Sequence, residues 1–133
     1  MKTAKVLFMF LSASLLLTSC NNGDDDSFQI GVSQCSQDEW RDRMNDEMLR
    51  EAMLSHEIAL EIRSADDDSR KQSEDIGYFI DKKVDLLIVS PNAAEEVTPA
   101  VDKAFDAGIP VIVVDRNVTG DKYTAFISAD NVQ

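Results

Sequence analysis

Among 133 residues there are one histidine, two cysteines, three prolines and five glycines, and 13 basic residues stand against 25 acidic ones. Each scarcity removes a class of function. A lone His56, in a helix-to-strand turn, leaves no partner for a Ser-His-Asp arrangement, and no G-x-S-x-G occurs. With so few histidines and cysteines no transition-metal cluster forms. Only Gly31 stands in the first apolar segment, so both G-x-G-x-x-G and the Walker loop are missing, and no cofactor is expected. The net charge of −12 excludes nucleic acid and anionic membrane surfaces as partners, because both demand clustered Lys and Arg. No enzyme signature remains.

Long hydrophobic runs are also lacking. Val6–Leu17 falls short of the roughly 20 residues that span a bilayer. It follows Lys2 and Lys5 and leads into Leu17-Thr18-Ser19-Cys20, the layout of an export signal over residues 1–20. A leucine three places before a cysteine resembles a bacterial lipoprotein processing site, which would lipidate Cys20 and leave residues 21–27 as a polar tether. An ordinary signal cut nearby is the alternative. With Cys20 modified, Cys35 is the remaining thiol, no internal disulfide supports the fold, and Cys35 reads as a small apolar filler.

Residues 28–133 suffice for one core. S-x-x-E at Ser36–Glu39 predicts a helix to about Ser55, with Trp40, Met44, Met48, Leu49, Ala52 and Met53 as its buried stripe. S-x-x-Q at Ser69–Gln72 predicts a second helix, burying Ile76, Phe79 and Ile80 and ending at Lys82-Lys83. Asn92 with Glu95 caps a third, with Val97, Val101, Ala104 and Phe105 inward and Gly108 as its left-handed stop. Leu86–Val89 and Val111–Val114 are unbroken apolar runs, as in strands covered on both faces. Ile58–Arg63 alternates, as an edge strand does. Together these predict an α/β, three-layer, doubly wound parallel sheet of order 2-1-3-4-5, with a crevice at the switch point between the first and third strands.

The polar residues cluster after the strands: Ser33-Gln34-Cys35, Asp66–Asp68, Ser90-Pro91-Asn92, Asp115-Arg116-Asn117 and Ser128–Asn131. In a parallel sheet those positions share the ligand-binding edge. Trp40 at a helix start suits stacking on a sugar ring, with Arg41 bonding a hydroxyl, or it heads the core stripe. Asp115-Arg116 can share two adjacent hydroxyls, one accepting and one donating, or form an ion pair tying the loop, with Asp130 as a further candidate partner. Leaving two charges at a central strand's end is costly without a purpose, which favours the site. The triple acid reads as a loop that stabilises a helix dipole; no His or Cys joins it to hold a metal. A receiver domain shares the strand order, but Ser33-Gln34, Ser90 and Ser128-Ala129 occupy the places where it needs acids and a lysine.

Ile30–Ser33 with Trp40-Arg41, Val84–Asn92, Gly108–Arg116 and Ile127–Asn131 together resemble the first lobe of a type I periplasmic sugar-binding protein, the group with ribose- and galactofuranose-binding members. The runs GVSQCS, EIRSADDDS and SPN are most similar to periplasmic sensor segments of hybrid two-component histidine kinases. The resemblance implies Ser33, Trp40, Asp115 and Arg116 as sugar contacts, Arg41 through the galactofuranose branch, and Gln34 and Asp130 near the cleft and hinge. The family's second helix-start aromatic is replaced by Glu39.

The resemblance further implies a periplasmic location, a monosaccharide or small oligosaccharide as ligand, and a second lobe as structural partner, which makes residues 28–133 half of a clamp. Membrane association would come through a lipid on Cys20 or a parent protein's membrane helix. The expected role is a carbohydrate-sensor lobe. A lipid-anchored binding protein for a sugar importer and a non-ligand interaction module are the alternatives.

Overall fold

Leu87, Val89, Val111 and Val113 have no solvent-exposed surface, and they lie on adjacent parallel strands whose period-2 alternation turns all four toward the same two helices. The computed structural model describes residues 27–129. In chain order the elements are β1 (Phe28–Gln34), α1 (Glu39–Leu54), β2 (Ile58–Ser64), α2 (Ser69–Lys82), β3 (Leu86–Ser90), α3 (Ala94–Asp106), β4 (Val111–Val114) and β5 (Ala125–Ile127). All pairings are parallel, in the order β2-β1-β3-β4-β5, as the sequence predicts. The segments expected as export signal and most of the expected tether, with Asp130, lie outside the described residues.

The core sits between the sheet and the α2–α3 layer, where Ile76, Phe79, Val97, Val101 and Ala104 meet Leu87, Val89, Val111 and Val113. Phe79 lies against the bare Cα of Gly31 on β1. Among the described residues α1 alone covers the other face. An apolar groove of about 540 Å³ is left there between Met48, Ala52 and Leu54 of α1 and Ile30, Ile58, Leu60 and Ile88 of the sheet. β2 forms one margin of the sheet, as its alternation predicts. Its Arg63 pairs with Asp75 at 2.6 Å and its Glu61 with Lys82 at 2.6 Å.

The helices start differently from the capping-box reading. Asp38, not Ser36, caps α1 by accepting from the Arg41 N–H, and Asp68, not Ser69, caps α2 through the N–H groups of Arg70 and Lys71. A carboxylate directly before the first helical residue outcompetes a hydroxyl that lies elsewhere in the turn. Asn92 caps nothing. Its amide bonds the Asp67 carbonyl at 2.9 Å and Ser69 Oγ at 3.0 Å, and α3 has Ala93 at its cap position, with no side-chain hydrogen bond.

The α1 stripe is corrected too. Trp40, Leu49 and Met53 are exposed, and the sheet-facing row is Arg41, Met44, Asn45, Met48 and Ala52. With only one helix on this face, the residues to either side of that row meet solvent. Phe105, expected inward, is also partly exposed.

Gly108 ends α3 with φ +86°, as predicted, but α2 ends on Lys83 in the same left-handed region at φ 57°. A side chain there carries a steric cost that glycine avoids, partly offset by glycine's looser unfolded chain. Lys83→Gly is therefore expected to raise stability by about 0.5–1 kcal/mol, read as a higher urea midpoint at unchanged slope.

Candidate functional site

The strand tips do converge on one edge, but the crevice at the β1/β3 switch point is filled. Ser33, Gln34, Cys35 and Ser90 are buried there. Gln72 of α2 donates to the Ser33 carbonyl at 3.3 Å and the Ser90 carbonyl at 2.8 Å, and its Oε1 accepts from the Asn92 N–H at 2.8 Å. Gln34 donates to Asn45 Oδ1 at 2.7 Å. Ser33 and Gln34, proposed sugar contacts, are thus members of β1 beneath the surface. Ser33 Oγ and Gln34 Oε1 are without a hydrogen-bond partner.

The open space lies further along the edge. A cavity of about 180 Å³ is walled by Trp40 and Met44 of α1, Val114 and Asp115 at the end of β4, and Ile127, Ser128 and Ala129 at the end of β5. Pockets that enclose small ligands run from about 300 Å³ upward, so this one suits a single face of a small molecule. The larger groove under α1 has an almost wholly apolar lining, with only Glu47, Glu51 and Ser55 polar. It lacks the convergent polar set that recognises a hydroxylated ligand, so the smaller cavity is the candidate.

Local geometry explains why these side chains meet. The Asp38 cap starts α1 so that Trp40, 55% exposed, stands over the cavity while Arg41, 6% exposed, turns under it. Asp115 comes directly after β4 in the left-handed region at φ 68°, and its N–H donates to the Ile127 carbonyl at 2.9 Å. Asp tolerates that conformation better than most residues.

Arg41 joins these pieces. Nη1 bonds Asp38 Oδ2, Nη2 bonds Asp115 Oδ2 at 3.0 Å, and the guanidinium carbon lies 5.6 Å from the Trp40 ring centre. Arg116 stays outside, 3.9 Å from Asp115 Oδ2, with Nη1 donating to the Asn92 carbonyl at 2.9 Å. Asp115 is therefore ion-paired, as the structural alternative supposed, but chiefly to Arg41.

Burial is the largest single effect and works against the Arg41 charge, but the hydrogen bond to Asp38 and the Coulombic attractions around it together outweigh burial, and the guanidinium pKa ends above its ordinary value. The Arg41 N–H, then its guanidinium, hold the Asp38 carboxyl below the ordinary 3.8. Lys71 lowers Asp66 by a side-chain bond and Asp68 through its backbone N–H. Carboxyls depressed by folding add stability above their unfolded pKa and lose it as pH falls through the folded value. Stability is expected to be level from pH 7 to about 5 and to fall below pH 4. Urea unfolding at each pH measures it, and Asp38→Asn, Asp66→Asn and Asp68→Asn together should flatten the acid limb.

Trp40, Arg41, Asp115 and Arg116 are brought together; Asp130 lies outside the described residues. Asp38 and Gln72 were not singled out from the sequence as site residues. Asp38 carried one legible signal, an acid just before an apolar helical pattern. Gln72 was legible only as a helix-start glutamine, because its partners are carbonyls of distant strands.

The lobe is a parallel doubly wound sheet with an indole, a carboxylate and a guanidinium at its carboxyl edge, the edge where such sheets hold their ligands. Residues 30–133 match the periplasmic binding protein domain, and the chain belongs to that family.

The chain is similar to the fructose-binding periplasmic domain of a hybrid two-component system, at 60% identity and TM-score 0.76, over 78% of this chain and 35% of that one. It is 27% identical to the ribose import binding protein of Bacillus subtilis, over 97% of this chain and 46% of that protein. A solute-binding protein from Bacillus halodurans with bound myo-inositol is 35% identical, TM-score 0.72, over 78% of this chain and 37% of that one. The chain spans less than half the length of each.

Proposed function

We propose that this chain is the first lobe of a periplasmic carbohydrate-binding unit that serves as the sensor of a hybrid two-component system. The observation that carries the reading is the meeting of Trp40 and Asp115 on one cavity, with Arg116 beside it 3.9 Å from the Asp115 carboxylate, in a chain 60% identical over 78% of its length to the fructose-binding periplasmic domain of a hybrid two-component system. The indole offers a face for a sugar ring, the carboxylate accepts from a hydroxyl, and the exposed Arg116 fork donates to a neighbour. A ketose or pentose monosaccharide is the proposed ligand. A second lobe would cover the ligand's other face, and closure around the sugar would shift a two-state equilibrium that a membrane segment transmits.

The second reading is a binding protein that hands sugar to an importer, held to the membrane by a lipid on Cys20. Similarity to the ribose import binding protein supports it. Both readings share the site and differ in the machinery that receives its signal or its sugar. A second lobe continuing into a membrane helix and kinase motifs in the gene supports the sensor, and adjacent permease genes support transport.

The shared claim is tested by titrating D-fructose, D-ribose and myo-inositol into the two-lobed protein while monitoring indole emission. One sugar should perturb the emission saturably, and Trp40→Ala should weaken its binding about tenfold. No response to any sugar, from a folded protein, would leave the interaction-module reading in its place.

A further inference from the structure

Two polar atoms on the α2 side of the sheet are left over once the Gln72 bonds are made. Ser33 Oγ is buried without a hydrogen-bond partner, and so is Asp75 Oδ2. Ser33 has no exposed surface and Asp75 only 3%. Nearly all buried polar groups in folded proteins are bonded, so each of these atoms calls for a partner.

Strand and helix geometry brings the two residues to one place. Gly31 lies against Phe79 of α2, and Ser33, two residues on, turns its side chain to the same face. Across the ladder Ser33 stands beside Arg63 of β2. Along α2, Gln72 holds the Ser33 carbonyl and Phe79 covers Gly31. Asp75 comes between Gln72 and Phe79 on the same helix face, at the level of Ser33. Its Oδ1 accepts from the Arg63 Nε–H at 2.6 Å, which leaves Oδ2 as the oxygen still to be satisfied. A serine hydroxyl rotates to donate to any acceptor within reach. Here it makes no bond to the carboxylate, so a gap separates the two groups.

We propose that one internal water molecule sits between Ser33 Oγ and Asp75 Oδ2 and completes a polar joint among β1, β2 and α2. Water fits the chemistry of both sides. It donates to the carboxylate and accepts from the hydroxyl, which supplies the two polar contacts an internal water needs. A metal cation does not fit, because Arg63 already balances the Asp75 charge and a hard cation takes about six oxygens. The site lies under α2, away from the cavity walled by Trp40 and Asp115. It therefore stands whether or not that cavity binds a sugar.

Crystals of the two-lobed protein that diffract well enough to order internal solvent test the proposal. A density peak is expected about 2.7–3.2 Å from both Ser33 Oγ and Asp75 Oδ2. Folded Ser33→Ala should lose that peak. A site without density, or a direct bond between the hydroxyl and the carboxylate, overturns the proposal. So does a peak with the short contacts of a metal ion, about 2.3–2.6 Å. A peak that persists in Ser33→Ala overturns it too, since Ser33 would then not hold the water. If Ser33→Ala fails to fold, the wild-type density decides alone.

Discussion

Gln72→Met is expected to destabilise the chain by about 3 kcal/mol while leaving its volume nearly unchanged. The side chain is wholly buried and makes three hydrogen bonds to backbone groups of β1, β3 and the loop after β3. Methionine fills the space but satisfies none of them. Each buried polar group left unpaired costs about 1–3 kcal/mol, and small shifts recover part of that. The loss is a large share of the roughly 5–15 kcal/mol that holds a domain together. The three bonds span the point where helical connections leave the sheet in opposite directions, so the strand tips should also loosen. Urea unfolding reads the first effect, and faster amide exchange at Ser33 and Ser90 reads the second. A loss below about 1 kcal/mol would mean that Gln72 does not stitch the strands.

Gly31→Ala is the second large effect. A Cβ at this position would stand 2.6 Å from Phe79 Cδ1 and 2.7 Å from Cγ, with the ring itself fully buried. No carbon pair tolerates that approach, so β1 or α2 must move, and overpacking of this kind costs about 1–3 kcal/mol. A loss at the upper end is expected, because the offending atoms belong to a rigid ring. Phe79→Leu makes room at its own cost, so the double variant should be less destabilised than the two single losses combined. Simple additivity would contradict the proposed clash.

The strand order and helix count were legible because the apolar period and the polar breaks between segments agreed along the chain, although the capping residues themselves were misassigned. Gly108 is the plainest case: a glycine directly after an amphipathic helix ended it in the left-handed region. The end of α2 at Lys82-Lys83 was legible, but its left-handed conformation was not, because nothing in a lysine announces a positive φ. The orientation of α1 was misread for a related reason. Its spacing admits more than one inward row, and only the sheet decides that Arg41, Met44 and Met48 turn inward while Leu49 and Met53 do not. Trp40, Asp115 and Arg116 could be placed at one edge by topology alone. The tie between Arg41 and Asp115 could not, because 74 residues separate the partners and the adjacent Arg116 is the partner that sequence suggests for Asp115.

The two margins of the sheet face water with different defences against unwanted pairing. Along β2, Glu61 and Arg63 are committed to Lys82 and Asp75, and charges on an edge strand deter another chain from adding to it. β5 has no such guard among the described residues: it offers Phe126 and Ile127, both exposed, and is protected only by being three residues long. Self-association through backbone pairing would therefore begin at β5, and a lysine at Phe126 is the substitution that would discourage it.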